Sequence, residues 1–171
     1  MSIERPPLSP ESVKPRAFGE KWLVLAQQNP KTYLKLARKS GEPLPLLIVR
    51  KPVPGADKIQ YLVFKDTRRK YLERFFEQKL KEKDQIAWFY PSEIDATGKV
   101  QITNARIFSK HDRREGIGTA VYDLIEQDVR AAGGTGLEPM LGVMSDDAVE
   151  FWKERRTADA ELIEAKGRQG S

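Results

Sequence analysis

Two arginines and two glycines stand where an extended segment meets an amphipathic helix. Arg113 and Arg114 precede Gly116 and Gly118, and apolar residues then recur at helical spacing as far as a second pair of glycines. The first N–H groups of a helix have no partner within it and carry the positive end of the helix dipole. Glycines let an anion approach these groups, and arginines add charge-assisted donors. The segment therefore predicts a binding site for a phosphate group.

The glycine pattern differs from the common nucleotide-binding loops. The chain contains no GxxxxGK[ST] sequence, and Val121 stands where a GxGxxG fingerprint needs its third glycine. The pattern is Arg-x-x-Gly-x-Gly, from Arg113 to Gly118, with a predicted strand before it and an apolar-striped helix after it. In that order of elements, the pattern indicates a phosphate site more specifically than the glycines do alone.

The segment HDRREGIGTAVYDLIEQDVRAAG resembles the acetyl-coenzyme A signature of the GNAT superfamily of N-acetyltransferases, with a match over residues 106–134. In that family the signature strand is splayed from its neighbour and pairs with the pantetheine arm, and the helix start binds the pyrophosphate. The resemblance implies that Phe108 and Ser109 lie beside the pantetheine. It also implies that the pyrophosphate is wrapped by Arg113, Arg114, Glu115, Gly116, Ile117, Gly118 and Thr119.

Downstream of the signature the family pattern is only partly present. Trp152 stands in place of the usual tyrosine of the next helix, and Ser145 stands in place of the usual asparagine. Pro139 predicts that the strand between the signature segment and Ser145 is short or lies at an edge, because proline removes a donor from strand pairing. The two closing strands of the family fold are not visible after Arg156. They are missing, supplied by a partner, or diverged in sequence.

Acyl transfer from a thioester to an amine needs a base, a polarised carbonyl group and a proton for the leaving thiolate. Trp152 is no useful proton donor. The remaining catalytic candidates are Ser145, which could orient a water or donate weakly, and Glu93 and Asp95, which are candidate bases by nearness in sequence. The only histidine, His111, is interpreted as a phosphate neighbour or a surface residue.

Aromatic residues offer candidates for an acceptor pocket. Tyr122 lies within the signature helix and is interpreted as a packing residue. Four other aromatic residues are candidates for lining the pocket, although ordinary core packing is the stronger interpretation of each one taken singly. These candidates are Trp22, Trp88, Phe89 and Phe151.

Composition excludes several classes of site. The 171 residues include no cysteine and one histidine, which excludes disulfides, thiolate metal sites and a cysteine nucleophile, so no metal is expected. The net charge of +5 suits an anionic partner but does not distinguish nucleic acid from a phosphorylated small molecule. No apolar run approaches the ~20 residues that cross a bilayer. With no secretory signal visible, we expect a cytoplasmic protein with no membrane partner.

The elements that position the site predict a mixed α/β (α+β) fold. We expect a largely antiparallel central sheet flanked by helices, as in the GNAT fold, without its usual C-terminal strands. A helical pattern begins at Ala17, is interrupted by Pro30, and continues to Ala37 as two short helices or one broken one. Strands are predicted at 44–51, 59–65, 85–90 and 99–109, and a charged amphipathic helix at 67–84.

The predicted organisation is a flexible arm (1–16), a GNAT-like domain (17–156) and a C-terminal tail of uncertain order (157–171). The leading hypothesis is an N-acyltransferase that uses acetyl-coenzyme A as cosubstrate. Its acceptor would be a primary amine of a small molecule, a protein or an aminoacyl-tRNA. One alternative is a non-catalytic coenzyme A-binding module, and another is a module that binds nucleic acid or protein. A homodimer is left open.

Overall fold

The computed structural model describes residues 15–37, 41, 43–56, 58–65, 84–92, 97–113 and 115–170. Two short 3-10 turns, Lys110–Asp112 and Thr157–Asp159, join some of its elements. In chain order, the helices and strands are α1 (Pro15–Gln28), β1 (Lys31–Ala37), β2 (Pro43–Pro52), β3 (Ile59–Lys65), β4 (Gln85–Pro91), β5 (Lys99–Ile107), α2 (Ile117–Ala131), β6 (Gly136–Glu138), α3 (Asp146–Arg155) and α4 (Ala160–Lys166).

The six strands form one sheet in the order in which they occur in the chain. β1 to β5 pair antiparallel with their neighbours, whereas β6 pairs parallel with β5. A parallel pair needs a crossover connection, and α2 supplies it. The predicted mixed α/β class, with a largely antiparallel sheet and flanking helices, is confirmed.

The helical prediction for residues 33–37 is wrong. These residues belong to β1, whose partners in β2 run from Val49 to Pro43. Leu34 and Leu36 pack against the core while Tyr33 and Lys35 are exposed, which is the alternation of a strand. The leucines fit a helical period as well as a strand period, and pairing with β2 decides between the two. The helix predicted at 67–84 falls almost wholly outside the described residues.

The main core lies between one face of the sheet and the helices. α1 packs against β2, β3 and α2, and it places the indole of Trp22 fully inside. The sheet contributes alternate residues such as Ile48 and Val63, and α2 contributes Val121 and Ile125. The apolar stripe read from the sequence of α2 is therefore the surface that fixes this helix on the sheet.

A polar network crosses this apolar core. Arg50 of β2 and Asp128 of α2, each at most 6% exposed, form a two-bond ion pair with distances of 2.6 and 3.1 Å. The Tyr61 hydroxyl donates to Asp128 at 2.8 Å and accepts a hydrogen bond from the Trp22 indole at 3.1 Å. Burial and the nearby Asp128 carboxylate raise the pKa of Tyr61 well above its usual value. Sequence analysis missed this network because no local pattern links positions 78 residues apart.

β6 is short and lies at the edge of the sheet, as Pro139 predicts. Its Leu137 carbonyl oxygen accepts a hydrogen bond of 2.6 Å from Arg156, and its Leu137 N–H lies 3.5 Å from the Glu126 carboxylate. Side chains therefore occupy backbone groups that a further strand would use. This arrangement argues against a strand supplied by a partner at Leu137.

The residues after α3 continue as helix. Among residues 115–170 the only pairing beyond β6 is an isolated bridge between Met144 and Arg168, so the closing strands are missing from this part of the chain. α4 packs against α3 and buries Ile163 completely. Hydrogen bonds from Arg168 and Lys153 lower the pKa of Glu164 on the exposed side of α4.

Replacing Asp128 with alanine should destabilise the protein strongly. The Asp128→Ala change leaves the Arg50 guanidinium buried without its counter-charge, which typically costs about 3–5 kcal/mol of unfolding free energy. The matched control is Asp123→Ala on the same helix, because Asp123 is 56% exposed in its pair with Arg155. That change should cost no more than about 1 kcal/mol. Urea unfolding measures both, and equal losses would contradict the structural role assigned to the buried pair.

Candidate functional site

The start of α2 presents backbone N–H groups without partners in the helix. The first intrahelical bond runs from Ala120 to the carbonyl oxygen of Gly116, so the amides of residues 117–119 precede it. Gly116, the N-cap residue, provides no side-chain cap, and the first turn contains no acidic residue. Because the helix dipole adds partial positive charge here, the site favours an anion.

The two signature glycines have different surroundings. Gly116 has a φ of +91°, a backbone conformation that favours glycine, and a Cβ built there would meet no atom within 4 Å. Gly118 faces α3, since a Cβ built there would lie 3.4 Å from the Phe151 ring. Gly116 thus keeps the helix start open, whereas Gly118 packs against the Phe151 ring of α3.

The loop before α2 brings a cation to the same place. The Ser109 hydroxyl accepts a hydrogen bond of 3.2 Å from the His111 N–H and thereby caps the short turn that follows β5. Arg113 is exposed and donates through Nε to the Ile107 carbonyl oxygen at 3.3 Å. This bond holds the arginine between the end of β5 and the start of α2. Arg114 lies outside the described residues.

β5 has an open edge that leads towards this helix start. β6 pairs with β5 only from Lys99 to Gln101 and ends before Pro139. From Ile102 to Ile107, β5 pairs with β4 on one side, and no described strand pairs with it on the other. Residues 103–106 are exposed. The divergence of the two parallel strands leaves a row of backbone donors and acceptors that an extended ligand can use.

β5 is also irregular in this stretch. Its register with β4 shifts where Pro91 follows Tyr90, and the hydroxyl of Thr103 donates to the Tyr90 carbonyl oxygen at 2.7 Å. Irregularities of this kind redirect side chains and often lie near active sites. Phe108 follows directly after β5 and is 43% exposed, with the guanidinium of Arg106 5.8 Å from its ring centroid.

The predicted catalytic residues do not form a group in the described part of the chain. The Ser145 hydroxyl accepts a hydrogen bond of 3.3 Å from the Ala148 N–H and caps α3. Trp152, which stands where the sequence resemblance implies a tyrosine, is 4% exposed and packs against Tyr122. Glu93 and Asp95 lie outside the described residues. His111 is exposed in the turn before the arginines.

The four aromatic candidates for an acceptor pocket lie in three different places. Trp22 is hydrogen-bonded to Tyr61 in the core, and the ring centroids of Trp88 and Tyr90 lie 4.5 Å apart. Because Phe89 follows Trp88 in β4, the two side chains point to opposite faces of the sheet. Phe89 and Phe151 instead join an aromatic cluster around Tyr122, at centroid distances of 5.7 and 4.7 Å.

Comparisons with known proteins give one structural similarity. No family model matches the chain, and no curated protein matches it. The fold is similar to that in the crystal structure of nourseothricin acetyltransferase, with a TM-score of 0.42 and 15% sequence identity. The superposition covers 74% of this chain and 68% of that one. This similarity is between folds.

Two further properties concern partners and metals. None of the helices in the described ranges has the length and apolar character that a membrane crossing requires. Within the same ranges, no three aspartate, glutamate or histidine residues come together in a way that could hold a metal ion.

Replacing Ser145 with alanine should test whether its hydroxyl acts as a cap. Loss of the bond to the Ala148 amide leaves the start of α3 without its side-chain acceptor, which typically costs about 1 kcal/mol. The measurement is urea unfolding of the Ser145→Ala variant, with Ser145→Asp as the control that restores a capping acceptor. An alanine variant as stable as the wild type would contradict the capping role.

Proposed function

We propose that this protein binds acyl-coenzyme A and transfers the acyl group, acetyl in the first instance, to a primary amine. The observation that supports the proposal most directly is the continuity of two surfaces. The open edge of β5 leads to the uncapped start of α2. An extended arm that ends in a pyrophosphate needs these two surfaces in this order.

The pantetheine arm of coenzyme A carries amide groups that can form strand-like hydrogen bonds. The edge of β5 from Ile102 to Ile107 offers backbone partners for them, since β6 has already turned away. Phe108 lies at the end of this edge nearest the α2 start and offers an exposed ring to the ligand. Recognition through backbone bonds along a sheet edge is a common way to bind an extended ligand.

The pyrophosphate would accept hydrogen bonds from the first amides of α2. Gly116 leaves these amides open to solvent, and Arg113 adds a cation held by its bond to the Ile107 carbonyl oxygen. The proposed binding segment also includes Arg114, Glu115, Ile117, Gly118 and Thr119. The Ser109 hydroxyl caps the turn that leads into this segment. Backbone amides and an arginine are the groups that best hold a phosphate.

Direct transfer needs neither a covalent enzyme intermediate nor a metal. The amine nitrogen attacks the thioester carbonyl carbon, the carbon–sulfur bond breaks, and the thiolate of coenzyme A leaves. Glu93 and Asp95 remain predictions for the base that takes the proton of the amine. The acceptor class, whether small molecule, protein or aminoacyl-tRNA, remains open, as does a homodimer.

A binding module without catalysis is the second candidate function. The Ser145 hydroxyl is engaged as a helix cap, and Trp152 is buried where the family has a tyrosine. Both features favour a chain that keeps the coenzyme A site without the usual proton donor. The two functions share the same binding step and differ only in whether product forms.

Calorimetric titration with acetyl-coenzyme A tests the binding step. A bulky side chain in the Gly116→Leu variant would cover the amides of the α2 start, so we expect affinity to fall roughly tenfold or more, the loss of about one good charged hydrogen bond. The matched control is Gly133→Leu at the other end of α2. Gly133 has a φ of +99° and equally open space around its Cβ position, so backbone strain is similar while the site is untouched.

The titration also separates the hypotheses. Wild-type protein that does not bind acetyl-coenzyme A at millimolar ligand would refute both coenzyme A functions. Equal affinities for the Gly116→Leu and Gly133→Leu variants would refute the placement of the pyrophosphate. If binding is confirmed, release of free coenzyme A with a panel of amines indicates the transferase, and its absence with every amine indicates the binding module.

A further inference from the structure

Tyr122 has a buried hydroxyl with no hydrogen-bond partner among the residues that the structure describes. The residue is 8% exposed, and its ring is enclosed by Phe89, Phe151 and Trp152 at centroid distances of 4.7 to 5.7 Å. Its ring also lies 5.7 Å from the guanidinium carbon of Arg155. None of the residues in the described ranges makes a hydrogen bond to its hydroxyl.

Tyr61, a second buried tyrosine among the described residues, shows what a structural phenol looks like in this fold. The Tyr61 hydroxyl donates to Asp128 at 2.8 Å and accepts from Trp22 at 3.1 Å. Buried tyrosine hydroxyls usually have such partners, because the loss of hydrogen bonds to water is otherwise uncompensated. A phenylalanine would fill the aromatic cluster around Tyr122 equally well without this cost.

The position of Tyr122 connects it to the proposed ligand site. It lies one helical turn after Gly118, and its neighbour Phe151 is also the residue that faces Gly118. On the sheet side its neighbour Phe89 pairs with Ala105, which lies in the stretch of β5 with the open edge. Through Phe151 and Phe89, Tyr122 therefore packs against residues that border the α2 start and the open stretch of β5, the two surfaces along which the proposed ligand would run.

We propose that the Tyr122 hydroxyl donates a hydrogen bond to the carbonyl oxygen of the bound thioester. This inference rests on the proposed acyl-coenzyme A function and assigns a residue to it. As the amine attacks, negative charge develops on that oxygen, and the hydrogen bond becomes stronger in the transition state than in the ground state. The hydroxyl keeps its proton throughout, so it acts as a donor and not as the acid that protonates the thiolate.

The electrostatic setting suits a donor that is never deprotonated. Burial raises the pKa of Tyr122, while the nearby Arg155 guanidinium opposes this effect more weakly. The phenol therefore stays protonated at all pH values at which the protein would work.

The test compares Tyr122→Phe with Tyr61→Phe by titration with acetyl-coenzyme A and with coenzyme A alone. We expect Tyr122→Phe to weaken acetyl-coenzyme A binding about three- to tenfold, the usual range for one lost neutral hydrogen bond, and to change coenzyme A binding less than about twofold. Its melting temperature without ligand should equal or exceed that of the wild type. Tyr61→Phe should lower the melting temperature and leave the ratio of the two affinities unchanged.

A vibrational measurement reports the same hydrogen bond without any assay of activity. With acetyl-coenzyme A labelled with carbon-13 at the carbonyl group, the carbonyl stretch should shift to lower frequency on binding to wild-type protein, and the shift should shrink in Tyr122→Phe. An unchanged affinity ratio together with an unchanged stretch in Tyr122→Phe would overturn the role of Tyr122 while leaving the binding function intact. Wild-type protein that binds neither ligand would refute the proposed function itself.

Discussion

The ion pair between Arg50 and Asp128 ties the antiparallel part of the sheet to α2. Arg50 also donates to the Asn29 carbonyl oxygen and to Thr32, so the pair joins the end of α1, β1, β2 and α2 at one point. A buried pair of charges is favourable only when its geometry satisfies both partners, so the rotation of α2 about its axis is constrained. The orientation of the α2 start, and with it the candidate site, depends on this constraint.

The candidate site lies where the pairing of the sheet changes from antiparallel to parallel, on either side of β5. α2 is the crossover connection that leads from β5 to the parallel strand β6. Because β6 ends after three residues, just before Pro139, the rest of the β5 edge stays open. Arg156 donates a hydrogen bond to the Leu137 carbonyl oxygen of β6, and the Glu126 carboxylate accepts one from the Leu137 N–H. The fold thus closes one sheet edge and leaves another open, and the open one adjoins the amides of the helix start.

Much of the fold could be predicted from the sequence, because the patterns that indicate helices and strands lie within short stretches of the chain. Short apolar runs, and runs rich in β-branched and aromatic residues, indicate four strands, and the stripe from Ile117 to Val129 together with its flanking glycines indicates α2. The interpretation failed at β1, where Leu34 and Leu36 fit two periods and only pairing with β2 decides. It could not find the network of Arg50 and Asp128 or the aromatic enclosure of Tyr122, because both depend on residues brought together by the folded chain. The glycine pattern indicated where a phosphate would bind, but the role of Gly118 in packing needed the position of Phe151.

The central claim is that the β5 edge and the α2 start form one binding surface. Amide hydrogen exchange with and without coenzyme A measures this directly, since hydrogen-bonded amides exchange slowly. The account predicts that coenzyme A slows exchange most at two places together, residues 102–108 and residues 116–119. Protection elsewhere, for example only around Arg130 in the last turn of α2 and Arg156 beside β6, with these two segments unchanged, would contradict it.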